Sequence, residues 1–132
     1  MAKALADRLA EAFAEHLNEL LVEEHWTSLK DISWFFRGIR PAIGYPTSPD
    51  HSEKLTLFKT LNVTENIGVE LTDHFAMSPA ASVCGFYFMN PKAEYFSVGK
   101  INKDQLEDYT RRKGITIAQA EKYLSESLAY KT

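Results

Sequence analysis

The sequence predicts an α+β fold: a small antiparallel sheet with a central hairpin, flanked by a long N-terminal helix and two C-terminal helices. Three observations predict it. Leu5, Leu9, Phe13, Leu17 and Leu20 recur at spacings of four and three, which places them on one helical stripe. Residues 82–89 and 95–101 are aromatic-rich stretches with alternating faces, separated by the turn composition Asn90-Pro91-Lys92-Ala93-Glu94. Residues 103–128 return to helical periodicity and are interrupted by a single glycine, Gly114. Helical runs segregated from a run of strands make the class α+β rather than α/β. With 132 residues, 45% of them apolar, the chain reads as one domain over 1–132, enough for one core but not two.

The elements follow in order. The first helix carries Glu11, Glu15 and Glu19 on a face away from its apolar stripe, read as solvated. Its pattern fades near His25 and Trp26. A second apolar stretch then begins at 31–36, where Trp34, Phe35 and Phe36 are expected to pack partly against the sheet. Residues 38–50 hold three prolines and two glycines, so they read as an extended loop with a largely preset path. Ser48-Pro49 resembles an N-cap and first helical position. The helix it opens would bury Leu55, Phe58 and Leu61 and end before Asn62. A short strand is expected at 69–72, then the hairpin of 82–89 with 95–101. The tail reads as a helix over 103–113, stopped by Gly114, and another from Thr116 to about Leu128. Thr116 and Gln119 form a capping-box pattern at the start of that last helix.

Charge and cysteine content narrow the function classes. A net charge of −3 carries no basic excess of the kind a nucleic-acid binder shows. One cysteine, Cys84, leaves no internal disulfide and fits a reducing cytosol. No stretch approaches the roughly 20 apolar residues of a membrane span, and the N-terminus lacks a signal-peptide core. The chain therefore reads as soluble and cytoplasmic, with neither a nucleic-acid nor a membrane partner.

Few residues carry candidate chemistry. His16, His25, His51 and His74 have no recognised metal spacing. Asp50-His51-Ser52-Glu53 could attract a metal by composition, yet a polar helix start with acids favoured by the macrodipole is the better explanation. Cys84, inside an aromatic strand, reads as a small buried hydrophobe. Arg111-Arg112-Lys113 occupies a last helical turn, where cations suit the dipole. Residues 40–45 differ. Arg40 offers a planar two-pronged grip on a carboxylate, Gly44 lets a ligand approach the backbone, and Tyr45 offers a ring face to a cation or heterocycle. Together they suit an amino-acid-like ligand with a carboxylate and a cationic centre, although Arg-Pro and Gly-Tyr-Pro also occur in structural turns.

Arg40-Pro-Ala-Ile-Gly-Tyr-Pro46 is similar to the Arg-x-x-x-Gly-Tyr motif of the reactivation module of cobalamin-dependent methionine synthase. The likeness continues through Pro49-Asp-His-Ser-Glu-Lys54, Leu71-Thr-Asp-His-Phe-Ala-Met77, Gly85-Phe-Tyr-Phe88, Tyr95-Phe-Ser-Val-Gly-Lys100 and Asp104-Gln-Leu-Glu-Asp-Tyr-Thr-Arg-Arg-Lys-Gly114. It includes Leu9-Ala-Glu-Ala-Phe-Ala-Glu15 and so covers nearly the whole chain. The chain resembles the C-terminal part of that module. The resemblance implies binding of S-adenosylmethionine beside a cobalamin-binding partner domain, with a flavodoxin-type reductant, to restore methylcobalamin from inactive cob(II)alamin. It implies part of a methyltransferase, with no catalytic or metal-ligating residue of its own and no complete activity alone. By the same resemblance Arg40 holds the ligand carboxylate, and Ala42 and Gly44 present backbone groups. Tyr45 stacks beside the ligand and faces the corrin, Tyr95 and Phe96 contact S-adenosylmethionine, and Glu11 matches an acid near it.

Two departures matter. Ile43 stands where the family often has proline, which is expected to loosen the loop. The family module is more than twice this length, and its other half carries an acid that grips the ligand's amino group. Loss of such a charge-assisted bond costs about 1.5–3 kcal/mol, so weak affinity is expected. The chain reads as a short stand-alone homologue or a fragment. A homodimer through the first helix is expected to cover apolar surface left by the shortening. The alternative function is a non-catalytic small-ligand or protein-interaction module that kept the fold and lost reactivation.

Overall fold

Helix α1 (Ala2–Trp26) opens the chain, and the computed structural model describes residues 1–26, 38–90 and 92–131. Then come α2 (Lys54–Thr60), α3 (Val63–Ile67), the strands β1 (Glu70–Leu71) and β2 (Met77–Ser78), α4 (Lys103–Lys113) and α5 (Ile117–Tyr123). The class is α+β, with a two-stranded antiparallel sheet in the register Glu70 to Ser78 and Leu71 to Met77. Trp34, Phe35 and Phe36 lie outside the described residues.

Helix α1 packs on a different stripe from the one its large residues mark. Ala14 and Val22 are buried, and Ala6, Ala10, Leu17 and Leu21 are half-buried beside them. Leu5, Leu9, Phe13 and Leu20 are exposed. Alanines at intervals of four let the helix lie close to the neighbouring backbone, where larger side chains would hold it off. The approach is fixed by the Tyr87 hydroxyl, which donates to the Ala14 carbonyl at 2.9 Å.

The central hairpin exists, but at 70–78 rather than 82–101. Thr72 closes it: its N–H donates to Ala76 O at 2.9 Å, and its hydroxyl oxygen accepts from Ala76 N at 3.1 Å. Residues 82–89 do pair, but with the proline-rich segment read as a loop. Ile39 bridges Phe88 and Ala42 bridges Gly85, both antiparallel. Pro41 accepts from Phe86 N–H at 3.1 Å and has no N–H to return, so the ladder breaks into bridges instead of a continuous strand. Gly85 is required here, because a Cβ would stand 2.4 Å from Pro41 O. Ile43 tightens the segment rather than loosening it. Its N–H donates to Cys84 O at 3.1 Å, a bond proline could not make, and its side chain is buried. Residues 95–101 run instead beside 46 and 128: Val98 N–H donates to Pro46 O, and Ile101 forms a parallel bridge with Leu128. Alternating faces specify a half-buried extended segment, not its partner.

Asp50, not Ser48, caps the turn into α2, accepting Ser52 N–H at 2.8 Å. The buried side there is Ser52 and Lys54, with Leu57 and Phe58 half-buried, whereas Leu55 and Leu61 are exposed. The C-terminal pair follows the sequence closely. Gly114 adopts φ +73° and donates to Thr110 O, ending α4. Thr116 accepts Gln119 N–H at 3.2 Å while Gln119 Oε1 accepts Thr116 N–H at 2.9 Å. Helix α5 stops at Tyr123, a 3-10 turn follows over 125–127, and Leu128 leaves to bridge Ile101. Leu106, Ala120, Leu124 and Leu128 form the core between these helices.

Candidate ligand-binding site

Three segments meet at the loop over 39–48. The bridge to 84–88 holds one edge. On the other, the Tyr95 hydroxyl accepts Arg40 N–H at 2.8 Å, and the Thr47 hydroxyl donates to Phe96 O at 2.8 Å. The loop is thus clamped between two extended segments, and α1 meets it through the Arg40–Glu15 pair. The bonds of Ile43 to Cys84 and of Phe86 to Pro41 flank the Ala42–Gly85 bridge, which makes it a wide, non-hydrogen-bonded pair. In such a pair the residue's own N–H and C=O face away from its partner. The Ala42 amide and carbonyl therefore point outward from the 84–86 segment.

A cavity of about 550 Å3 lies under this clamp. Glu11, Arg40, Ala42, Tyr45, Tyr95 and Phe96 all line it, so six of the seven sequence-derived site residues share one space. Gly44 is the seventh and lies elsewhere, in a neighbouring groove with Ser97, Lys100 and Glu126. Its amide is engaged with Ser48 O at 2.8 Å. The reason for a glycine is internal. At φ +98° a Cβ would stand 2.0 Å from His51 Cε1, so the imidazole fills the space a side chain would take. Tyr45, Tyr95 and Phe96 are each at least 60% exposed, leaving aromatic faces open at the cavity rim.

Electrostatics at the cavity are set by burial and a few pairs. Arg40 Nη2 forms an ion pair with a Glu15 carboxylate oxygen. Lys54 is buried, with Nζ donating to Phe75 O at 3.0 Å and lying 3.1 Å from His51 Nδ1. An ammonium there requires Nδ1 to accept, which puts the neutral ring's proton on Nε2. Burial lowers the Lys54 pKa; burial, then the Lys54 charge, lowers that of His51. Burial raises the Cys84 thiol, so it is no activated nucleophile.

Below the loop, Lys113 Nζ reaches Asp50 Oδ2 at 2.6 Å, Ser52 Oγ at 2.6 Å and Glu53 Oε1 at 2.8 Å. The Tyr109 hydroxyl donates to Asp50 Oδ2 at 2.5 Å and lies 3.0 Å from Glu53 Oε1. Burial acts to raise the Asp50 pKa, but bonds from Lys113, Tyr109 and Ser52 hold it below the usual value. Both acids of the Asp50-His51-Ser52-Glu53 run are thereby committed to α4. Lys113 is an interhelical tether rather than only a dipole partner.

Residues 1–114 match the family described as vitamin B12 dependent methionine synthase, activation domain. The chain belongs to that activation-domain family. It is also similar to a crystal structure of the MetH reactivation domain bound to AdoHcy, at 45% identity and a TM-score of 0.89. That likeness covers 98% of this chain and 42% of the other, so the chain spans less than half the length of the solved domain.

Within this activation-domain chain, the sequence pattern marks the cavity's walls but only part of its support. Glu15 reads as solvated, yet it meets Arg40. Its spacing holds the signal: it lies four residues after Glu11, on the same helical face. Tyr87, which pins α1 to the 85–88 segment, and Thr47, which pins Phe96 to the loop, carry no such mark. Nor does Lys54, whose burial depends on a hairpin carbonyl twenty-one residues away.

Proposed function

We propose that this chain binds S-adenosylmethionine in the cavity under the 39–48 loop and presents it to cobalamin held on a separate domain of a methionine synthase. The observation that carries this reading is the meeting of Arg40, Ala42, Tyr45, Tyr95, Phe96 and Glu11 around one space. Its volume falls within the range of about 300–1,000 Å3 typical of small-molecule sites. Further support comes from the 45%-identical reactivation domain, which is bound to AdoHcy.

Arg40 would take the ligand carboxylate through its guanidinium fork, and Ala42 would offer its outward N–H and C=O. Tyr95 and Phe96 would flank the nucleoside, and Glu11 would face the ligand's positive end. Tyr45, exposed at the rim, would lie between the ligand and the corrin. When bound, S-adenosylmethionine supplies an electrophilic methyl group for reactivating the cobalamin enzyme. The chain itself binds, orients and shields. A flavodoxin-type reductant supplies the electron in this scheme, and the setting is cytoplasmic. Among the described residues no helix is long and apolar enough to cross a membrane.

The exposed stripe of Leu5, Leu9, Phe13 and Leu20 would form the contact of a two-fold dimer in this scheme. Calorimetric titration with S-adenosylmethionine, alone and with a cobalamin-binding domain present, tests the main reading. Saturable binding that tightens with the partner supports it; no binding in either case overturns it.

A further inference from the structure

Resting on the reading of Arg40 as a carboxylate grip, we infer that Glu15 is a built-in competitor for that grip and thereby sets the chain's affinity for its ligand. The fork is not idle: Arg40 Nη2 is paired with the Glu15 carboxylate. Chemically this is the group the ligand would present, supplied by the protein's own helix. The Arg40 backbone is held in place. Its backbone N–H is held by Tyr95, and its segment is bridged to 88 and 85 on either side of it.

Glu15 is placed by architecture rather than chance. Tyr87 donates to Ala14 O, one residue before Glu15, which ties α1 at that turn to the 85–88 segment that bridges the loop. Glu11, one turn before it, lines the cavity itself. The Glu15 side chain is 53% exposed against 34% for Arg40, so the carboxylate can swing into solvent while the guanidinium stays. A ligand carboxylate must displace Glu15 or share the fork with a like charge. Partly exposed pairs are individually modest, so the competition lowers affinity about two- to fivefold.

The test compares the parent chain with Glu15→Gln and Glu19→Gln. Glu19 lies one turn further along the same helix and faces His16, so it controls for net charge. S-adenosylhomocysteine is titrated by calorimetry. In parallel, acetate is titrated while the Arg40 Nε–H resonance is followed by NMR. Glu15→Gln is expected to bind S-adenosylhomocysteine two- to fivefold tighter, with Glu19→Gln unchanged. Acetate is expected to move the Arg40 resonance at lower concentration in Glu15→Gln than in the parent. Equal or weaker binding by Glu15→Gln, or an equal gain in Glu19→Gln, overturns the inference. If no chain binds the nucleoside, the ligand reading fails, and the acetate arm still decides. Equal acetate midpoints for the Arg40 resonance in parent and Glu15→Gln overturn competition, and a lower midpoint in Glu15→Gln sustains it.

Discussion

Replacing Lys113 with methionine keeps the length of the side chain and removes its charge, which isolates the tether between α4 and the turn that carries His51. Lys113 Nζ holds Asp50, Ser52 and Glu53, and the Lys113 and Asp50 side chains are only 18% and 6% exposed. Removing one partner of a buried pair costs roughly 3–5 kcal/mol, and the lower end applies because Tyr109 and Ser52 still donate to Asp50. A loss of about 3 kcal/mol corresponds to about 10 °C in melting temperature for a domain of this size. The pH dependence gives a second readout. Asp50 is lowered in the fold, so its contribution is present above its unfolded value of 3.8 and disappears as pH falls through the lower folded value. Lys113 is raised, so its contribution holds below 10.5 and is lost as pH climbs through the higher folded value. Urea unfolding of parent and Lys113→Met at pH 7 and pH 3 measures both effects. The deficit should be largest near neutrality and shrink in acid. A deficit under about 1 kcal/mol, the worth of a surface pair, would refute the tether, as would one that does not change with pH.

Other substitutions probe the loop and the helix face. Gly44→Ala drives a methyl into His51 at φ +98°, and strain plus overpacking should cost about 3 kcal/mol, read by thermal melting together with weakened ligand binding. Adding His51→Ala should recover part of that loss, because it removes the clash but not the backbone strain. Arg40→Lys keeps charge without the fork, so affinity for S-adenosylhomocysteine should drop about tenfold with little change in melting; an unchanged affinity would exclude a carboxylate grip. Phe13→Glu puts a charge on the exposed stripe of α1 and should convert a sedimenting dimer to monomer; a parent that is already monomeric at high concentration removes the dimer.

Much of the local structure is legible in the sequence because local chemistry determines it. Gly114 stops α4 and Thr116 caps α5 through bonds within one turn, so a short window contains the whole cause. The clustering at 40–45 is legible in the same way, since Arg40, Ala42 and Tyr45 line one cavity from one short segment. What local pattern does not carry is the choice among distant partners. Residues 82–89 read as a strand whichever segment they meet, and their pairing with 39–43 is hidden by Pro41, which breaks the ladder. Leu5, Leu9 and Phe13 mark a helix correctly but not its buried side, because the approach of α1 favours alanine over bulk. Gly44 reads as room for a ligand, whereas His51 occupies the space beside it. Lys54 and Lys113 look like surface cations until carbonyls and carboxylates from elsewhere in the chain enclose them.

The most direct test of the ligand reading is an assigned proton–nitrogen NMR spectrum of the chain titrated with S-adenosylhomocysteine. Shifts should concentrate at Arg40, Ala42, Tyr95 and Phe96, with Glu11 and Tyr45 at the margin, and they should saturate. Shifts confined to Ser97, Lys100 and Glu126 in the neighbouring groove, or to the exposed face of α1, would contradict it.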